Sequence, residues 1–485
     1  MLKIWQKEKE QIRENDKVDN EIKKDASNKT KENKMGTMPI GKLLVSMSLP
    51  MVISMLVQAL YNVVDSVFVS YFETDGLTAV STIFPIQNLM IGVASGLGVG
   101  FNAIISRALG EKKQEQANEA ARQGIFLEAI GYIIFLFIGL FFVGTFMHSQ
   151  TSNQKIITYG IDYGMVCCVL SFGMFAQMTF ERLLQSTGRT IYTMITQGLG
   201  AIINIILDPI LIFGYLGMPR LGVTGAALAT VIGQCIAAIL AIYFNLKKNP
   251  DLHISFKKFK PVGTIIKRIL GIGVPSVIMI AVGSVMTYLL NRILYSLNEV
   301  AVTIFGVYFK VQSMAFMPVF GMNNGMIPIV AYNYGAKRPD RMMKTFKLSC
   351  SICMCIMAVC LIIIQVAPVP ILKIFNATDD MLNMGIPAMR ILSSPFIFAG
   401  LAIACSGVFQ ALGKGIYSMI VSMARQLFVL VPAAYILAKA THNVTYVWFA
   451  FPIAEIFSMV LSLVLFAYAY RKIIKPLDQE KISLS

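Results

Sequence analysis

Residues 50–72 read PMVISMLVQALYNVVDSVFVSYF. An α-helix that crosses a bilayer needs about 20 mainly apolar residues, and this stretch supplies them with a single charge. Its polar members recur at steps of three and four residues, which places them on one face of a helix. They are Ser54, Gln58, Tyr61, Asn62 and Asp65. The stretch therefore predicts a membrane helix with a polar stripe that ends in an acid.

The rest of the chain repeats this apolar character. Of its 485 residues, 56% are hydrophobic and 14% are charged, and the mean hydropathy is +0.66. Twelve runs of membrane-spanning length lie between residues 43 and 470, and no soluble domain separates them. We expect an all-α polytopic membrane protein of twelve transmembrane helices, for which the lipid bilayer is the main solvent.

The net charge of +16 could indicate nucleic acid, but that requires a basic face on a soluble domain. Here the basic residues fall in short gaps between apolar runs, as Arg182 and Arg189 do after the fourth run, which ends near residue 180. If the N-terminus is inside, the outer gaps hold only Lys155, Arg220, Lys373 and Lys439. This bias predicts a cytoplasmic (plasma) membrane protein with both termini in the cytoplasm and no nucleic-acid partner.

The two halves of the chain share landmarks at one constant offset in residue number, the offset that takes Pro50 to Pro275. We call it the repeat offset. The other matched pairs are Gly100 and Gly325, Gly110 and Gly335, Gln185 and Gln410, and Gly188 and Gly413. Because six spans is an even number, both halves enter the membrane from the same face, which predicts a parallel repeat about an axis along the membrane normal. Two similar lobes that rock about a central cavity would provide alternating access.

These patterns divide the chain into five regions. We expect a disordered cytoplasmic tail at 1–38, an N-terminal six-helix lobe at 39–246, a cytoplasmic linker at 247–265, a C-terminal six-helix lobe at 266–472 and a cytoplasmic tail at 473–485.

The clearest carboxylates inside the membrane are Asp65, Asp208 and Glu455. The fifth run carries a second polar stripe, Thr193, Gln197, Asn204 and Asp208, in which Asn204 and Asp208 are one turn apart. Asp65 and Asp208 share a depth, since both runs point outward. Burial and a second acid both raise the proton affinity of a carboxylate, which favours one cation or proton site. The alternative is that each aspartate only bonds a neighbouring helix.

The second lobe offers basic residues instead, because the repeat maps Asp65 onto Leu290 and leaves the paired acids in one lobe. Lys310, Arg390 and Arg425 either pair with Glu455, extend to the interface or meet substrate. The candidates for the substrate cavity are Gln58, Tyr61, Asn62, Gln197, Lys310, Arg390 and Glu455.

Enzyme chemistry has little support. Cys350, Cys353 and Cys355 resemble metal ligands in spacing, but no His or acid accompanies them, so packing is the better interpretation. The three histidines lie in loops, and no nucleotide-binding glycine loop precedes a Lys-Ser or Lys-Thr pair. We expect a protein that is not an enzyme and has neither cofactor nor resident metal.

Several segments together resemble one family, the MATE (multidrug and toxic compound extrusion) transporters. They are residues 50–72, GVGFNAIISRALGEKK from Gly98, NIILDPILIFG from Asn204, GVTGAALATVIGQ from Gly222 and NNGMIPIVAYNYGAKRPDR from Asn323. The resemblance covers nearly everything after the tail. It implies a V-shaped fold and a monomer that exports small, often cationic, drug-like molecules in exchange for H⁺ or Na⁺.

Within the family the chain is most similar to the DinF-like branch. That resemblance implies an ion site in the N-terminal lobe at Asp65, Asn204, Asp208 and, more loosely, Thr230, with Na⁺ held by the first three if sodium is the coupling ion. The alternative from the wider superfamily is a flippase for lipids or lipid-linked oligosaccharides, which a basic cavity would favour. A membrane enzyme or scaffold is the third hypothesis.

Overall fold

The computed structural model describes residues 32–257, 259–375 and 377–482, and the regular structure of these residues is entirely helical. Ten helices are long and apolar enough to cross a membrane, and two bent pairs complete the predicted twelve spans. The spans are α1 (Ile40–Phe72), α2 (Thr74–Gly110), α3 (Gln114–Phe141), α4 (Gln154–Val169 and Phe172–Ser186), α5 (Thr190–Phe213), α6 (Val223–Lys248), α7 (Gly263–Tyr295), α8 (Glu299–Gly335), α9 (Pro339–Val366), α10 (Asp379–Ser393 and Phe396–Ala411), α11 (Gly415–Thr441) and α12 (Ala450–Ala469).

The limits of these helices reproduce the repeat offset. Helices α2 and α8 are related by it at both ends, and so are α3 and α9. The two bent spans are also equivalent, since α4 bends by 44° and α10 by 43°. Pro395 stands at the bend of α10, where it removes a backbone donor and permits the change of direction. The predicted organisation as two six-helix lobes is therefore confirmed.

The lobes meet where α2 packs against α7 and α8 packs against α1. A Cβ atom built on Gly110 would lie 1.9 Å from the carbonyl oxygen of Tyr332, and one on Gly335 would lie 2.1 Å from that of Arg107. Both separations are far below van der Waals contact, so only glycine allows the backbones to approach this closely. The repeat offset also takes Arg107 to Tyr332, so the two contacts are equivalent under the repeat.

We call this end of the molecule, formed by residues 107–113 and 332–341, the basic end. A short helix, Lys34–Thr37, fills the seam between the lobes there. The Asn33 side chain caps this helix, and its amide donates to the Thr187 carbonyl of the first lobe at 3.0 Å. From the second lobe, Arg338 donates to the Gly36 carbonyl at 2.7 Å and Arg341 to the Met35 carbonyl at 3.0 Å.

These contacts correct the predicted tail at 1–38. Residues 34–37 are ordered because the Met35 side chain is fully buried and partners from both lobes bond the helix; residues 1–31 lie outside the described part of the chain. The cytoplasmic C-terminal tail at 473–485 stays a prediction. In this region a π-helical segment, Tyr470–Ile474, is followed by a helix, Lys475–Ile482, beyond which residues 483–485 are not described. The linker is extended between α6 and α7, and its Lys260 carbonyl accepts a bond from Gln123 of α3 at 2.8 Å. The exact lobe limits stay a prediction.

The glycine contact at the basic end generates a prediction for Gly335→Ala. The new methyl group would strike the Arg107 carbonyl, so the lobes should separate at this end. Spin labels at the exposed Gln116 and Lys344, introduced after the exposed Cys355 is replaced by serine, should report a longer distance by pulsed electron resonance.

Gly306→Ala is the matched control, because nothing lies within 4 Å of a Cβ at that position of the same helix. An unchanged distance in Gly335→Ala would show that the basic end tolerates a side chain there and is not closed by glycine contact.

Candidate ion and substrate sites

Helices α5 and α6 pack closely enough to bring three predicted residues together. A Cβ on Gly233 of α6 would lie 2.7 Å from the Gly200 carbonyl of α5, so the two helices touch backbone to backbone. Across this contact the Asn204 amide donates to the Thr230 hydroxyl at 3.2 Å and, within α5, to Asp208 Oδ1 at 3.4 Å. Asn204 and Asp208 are 3% and 0% exposed.

Asp65 reaches the same region from α1, which packs along α5. Tyr61, one turn before Asp65 on α1, lines a small cavity together with Asn204 and Thr230. We refer to Asp65, Asn204, Asp208 and Thr230 as the ion cluster. The structure therefore brings the four residues predicted for an ion site into one part of the first lobe.

Three buried oxygens of the ion cluster lack a hydrogen-bond partner among the described residues: Asp65 Oδ1, Asn204 Oδ1 and Asp208 Oδ2. Leaving a buried acceptor unsatisfied costs about 1–3 kcal/mol, and more if it is charged. A proton can convert a carboxylate oxygen into a donor, while a hard cation such as Na⁺ takes carboxylate, amide and hydroxyl oxygens as ligands. The donor set suits either ion.

A cavity of about 490 Å³ lies between the lobes and receives side chains from both. Its lining includes amides and hydroxyls together with Met51, Met55, Met178 and Met279, whose flexible thioethers adapt to ligands of different shape. Its charged members among the described residues are Glu181, Arg182 and Arg425. The volume falls in the range of sites for drug-sized molecules.

A smaller cavity of about 70 Å³ leads from this space towards the ion cluster. Tyr61, Asn204 and Thr230 line it, and it shares Gln58 and Gln197 with the central cavity. The predicted cavity residues Gln58, Tyr61 and Gln197 therefore lie between the two sites.

Glu181 lies at the junction of the two cavities, and sequence reasoning missed it. Its carboxylate accepts bonds from the Thr196 hydroxyl at 2.8 Å, the Gln197 amide at 2.9 Å and the Gln177 amide at 3.0 Å. The predicted fourth run ends near residue 180, which leaves Arg182 in a water-facing gap and gives Glu181 no role. In the structure α4 continues to Ser186 and both side chains are buried. The repeat offset could have shown that α4 extends past residue 180, because it takes Ser186 to Ala411, where α10 ends.

A second overlooked acid, Glu128 of α3, is 2% exposed, and neither of its carboxylate oxygens has a described partner. It lay within a predicted run and could have been found from its charge alone.

A family model named MatE matches residues 50–210 and 275–436. The chain belongs to the MatE family. The starts of the two matched segments of this MatE chain are related by the repeat offset, as the helices are. The family identity makes it a multi-pass membrane transporter, with six of its helices in each lobe.

Named relatives of the MatE chain include export proteins. It is 27% identical over 399 residues to the multidrug export protein MepA of Staphylococcus haemolyticus, covering 82% of this chain and 87% of that protein. It is 25% identical over 396 residues to an FAD transporter of Shewanella oneidensis, covering 82% and 88%. Its fold matches the outward-facing conformation of a multidrug resistance MATE family transporter with a TM-score of 0.85 and 26% identity, over 93% of this chain and 99% of that one.

Four predicted cavity residues of the MatE chain, Asn62, Lys310, Arg390 and Glu455, line neither cavity. Asn62 is exposed, because successive helical residues project about 100° apart and Tyr61 takes the inward direction. Arg390 is exposed on the face of α10 opposite the buried Ala388 and Leu392.

Lys310 is exposed near the ring of Phe375, 6.0 Å from its centre. The geometry gives no support for substrate contact by Asn62, Lys310 or Arg390.

Glu455 is buried behind the cavity wall, where its Oε1 accepts a bond from Arg425 Nη1 at 2.7 Å. Arg425 itself lines the cavity from a π-helical segment of α11, Ala424–Leu430. Pro432 lies just beyond this segment and cannot donate to the carbonyl four residues earlier, and the wider turn accommodates the lost bond. Ion pairing, one of the alternatives for Glu455, is thus observed.

The arrangement around Glu181 predicts the effect of Glu181→Gln. A carboxylate accepts charge-assisted bonds, which are about twice as strong as the neutral bonds that an amide oxygen accepts, and the Gln197 amide would have to turn to accept from the new donor, so the substitution should cost about 1–3 kcal/mol. We expect a lower Tm of the purified protein in detergent.

Glu299→Gln, at an exposed position of α8, is the control and should leave the Tm unchanged. A Tm of Glu181→Gln equal to that of the unmodified protein would mean that the three donors do not require a carboxylate.

Proposed function

We propose that this MatE transporter is a secondary active multidrug exporter, which moves organic compounds, cations among them, out of the cell in exchange for H⁺ or Na⁺ by alternating access. The observation that carries the proposal is the ion cluster with its unpartnered oxygens, set beside a drug-sized cavity and connected to it through Gln58 and Gln197. The similarity to multidrug export proteins supports the substrate class.

Coupling follows from the position of the cluster on three helices. Asp65 belongs to α1, Asn204 and Asp208 to α5, and Thr230 to α6. With both carboxylates ionised, α1 and α5 repel each other at this point; a proton or Na⁺ removes the repulsion and favours closer packing. Since α1 also lines the central cavity through Met51, Met55 and Gln58, its movement changes the substrate site.

The basic end is the natural place for the alternating gate. The excess of Lys and Arg supports a cytoplasmic position for this end, with both termini inside and the protein in the cytoplasmic membrane. The glycine contacts close the path on that side, which supports an outward-facing state. Transport requires a second state in which these contacts separate.

The flippase alternative is weaker than the sequence suggested. It depended on Lys310, Arg390 and Arg425 forming a basic cavity, and the first two are exposed away from it.

A double-mutant cycle tests the ion cluster. Asp65→Asn and Asp208→Asn each remove one ionisable group, and each should reduce dye efflux from energised vesicles. If the two acids share one ion, the double variant should be little worse than either single variant, with an interaction free energy of about 0.5–3 kcal/mol.

Ethidium efflux would be measured with pH and sodium gradients imposed separately, which also distinguishes the coupling ions. Asp162→Asn, an exposed acid on α4, is the matched control and should keep its efflux. Additive losses would argue for two independent sites. Unchanged ion dependence in both single variants would place coupling outside the ion cluster.

A further inference from the structure

We propose that the central cavity holds an anion-binding subsite, in which Arg182 and Arg425 receive a carboxylate or phosphate group of an amphiphilic substrate. This inference rests on the proposed export function and extends its substrate class beyond cations.

Arg182 presents a guanidinium group to the cavity, and its observed bonds go to neutral oxygens. The residue is 8% exposed, and the acceptors are Gln185 Oε1 at 2.9 Å, Ser95 Oγ at 3.1 Å and Asn324 Oδ1 at 3.2 Å. A guanidinium has five N–H donors, so two remain after these three bonds. Within the described ranges no carboxylate oxygen lies within 4.0 Å of its nitrogens.

Two acids lie near this guanidinium, but neither bonds it directly. Glu181 precedes Arg182 on α4, and its two oxygens are bonded to Gln177, Thr196 and Gln197. Glu181 and Glu128 both attract Arg182 through space, which lowers the cost of burying its charge. The two N–H groups that have no acceptor stay available, and a substrate anion would form charge-assisted bonds with them.

The side chain of Arg182 is also held in place before a ligand arrives. Its stem crosses Gly98 of α2, where a Cβ would lie 2.8 Å from Arg182 Cγ and 3.2 Å from Nε. Its donors reach α2 and α8, one helix from each lobe. Such fixing lowers the entropy lost on binding and favours the planar, paired recognition of carboxylate or phosphate.

Arg425 supplies a second guanidinium from the other lobe. It uses Nη1 for Glu455, and its side chain is 27% exposed. Among the described residues, the charged lining of the cavity is therefore two arginines and one acid, Glu181, that already accepts three bonds. Met55, Phe316 and Phe320 line the same space and would hold the apolar part of the substrate.

Riboflavin and its phosphate ester, flavin mononucleotide, are suitable probes, because they share a fluorescent ring and differ by one phosphate group. With purified protein in lipid nanodiscs, we expect the phosphate ester to bind about tenfold tighter or more, the worth of one charge-assisted bond. Arg182→Gln should remove this preference, because it should weaken binding of the phosphate ester far more than binding of riboflavin. Arg425→Gln combined with Glu455→Gln, which keeps the pair neutral, should reduce the preference as well.

Arg292→Gln, an exposed arginine of α7, is the control and should keep the preference. Equal affinity of the unmodified protein for both flavins would overturn the proposal. It would also be overturned if Arg182→Gln lowered the affinity for both flavins equally, because Arg182 would then act only as a structural contact between the lobes. Ethidium efflux distinguishes a failure of the anion subsite from a failure of the proposed export function. If it persists while the flavin preference is absent, only the anion subsite fails; if the unmodified protein exports no ethidium, the exporter proposal fails.

Discussion

The structure depends on a direct contact between two backbones at the basic end. Gly110 meets the Tyr332 carbonyl and Gly335 meets the Arg107 carbonyl at separations that exclude any side chain. Because these two contacts are equivalent under the repeat, they define the axis that relates the lobes. The central cavity lies between the same helices that make this contact, so its shape follows from how closely the lobes approach.

The positions of the buried charged residues, unlike the course of the backbone, do not follow the repeat. The ion cluster belongs to the first lobe, and the position equivalent to Asp65 in the second is Leu290, a fully buried apolar residue. The second lobe instead contributes the Arg425 and Glu455 pair. With the ion site and substrate cavity that we propose, this symmetric frame with asymmetric charges would let ion occupancy act on one lobe while both lobes shape the cavity.

Hydropathy and the repeat predicted the twelve spans, because span length and equal offset are properties of the chain itself. Spacing and resemblance together predicted Asn204, Asp208 and Thr230. Glu181 and Arg182 could not be found by hydropathy, since two adjacent charges resemble the end of a span unless their buried partners are known. The substrate-contact alternative for Lys310 and Arg390 is unsupported for a different reason, because hydropathy does not show in which direction a charged side chain within a span points. The Lys34–Thr37 helix was missed because its order comes from bonds to residues far away in the chain, such as Arg338 and Thr187.

Adjacent positions on α4 place opposite charges on two sides of the helix, Glu181 at the junction of the two cavities and Arg182 at the lobe interface. Glu181 faces α5, where it holds Gln197 through Oε2 at 2.9 Å, and Arg182 faces the lobe interface. Gln197 shares a face of α5 with Asn204, two turns away, and its Oε1 has no described partner. A shift of α5 on ion binding would therefore pull on Glu181, and through α4 on the guanidinium beside it. If the ion and the substrate bind where we propose, these two consecutive residues connect their sites, and by linkage each would then alter the affinity for the other by the same factor.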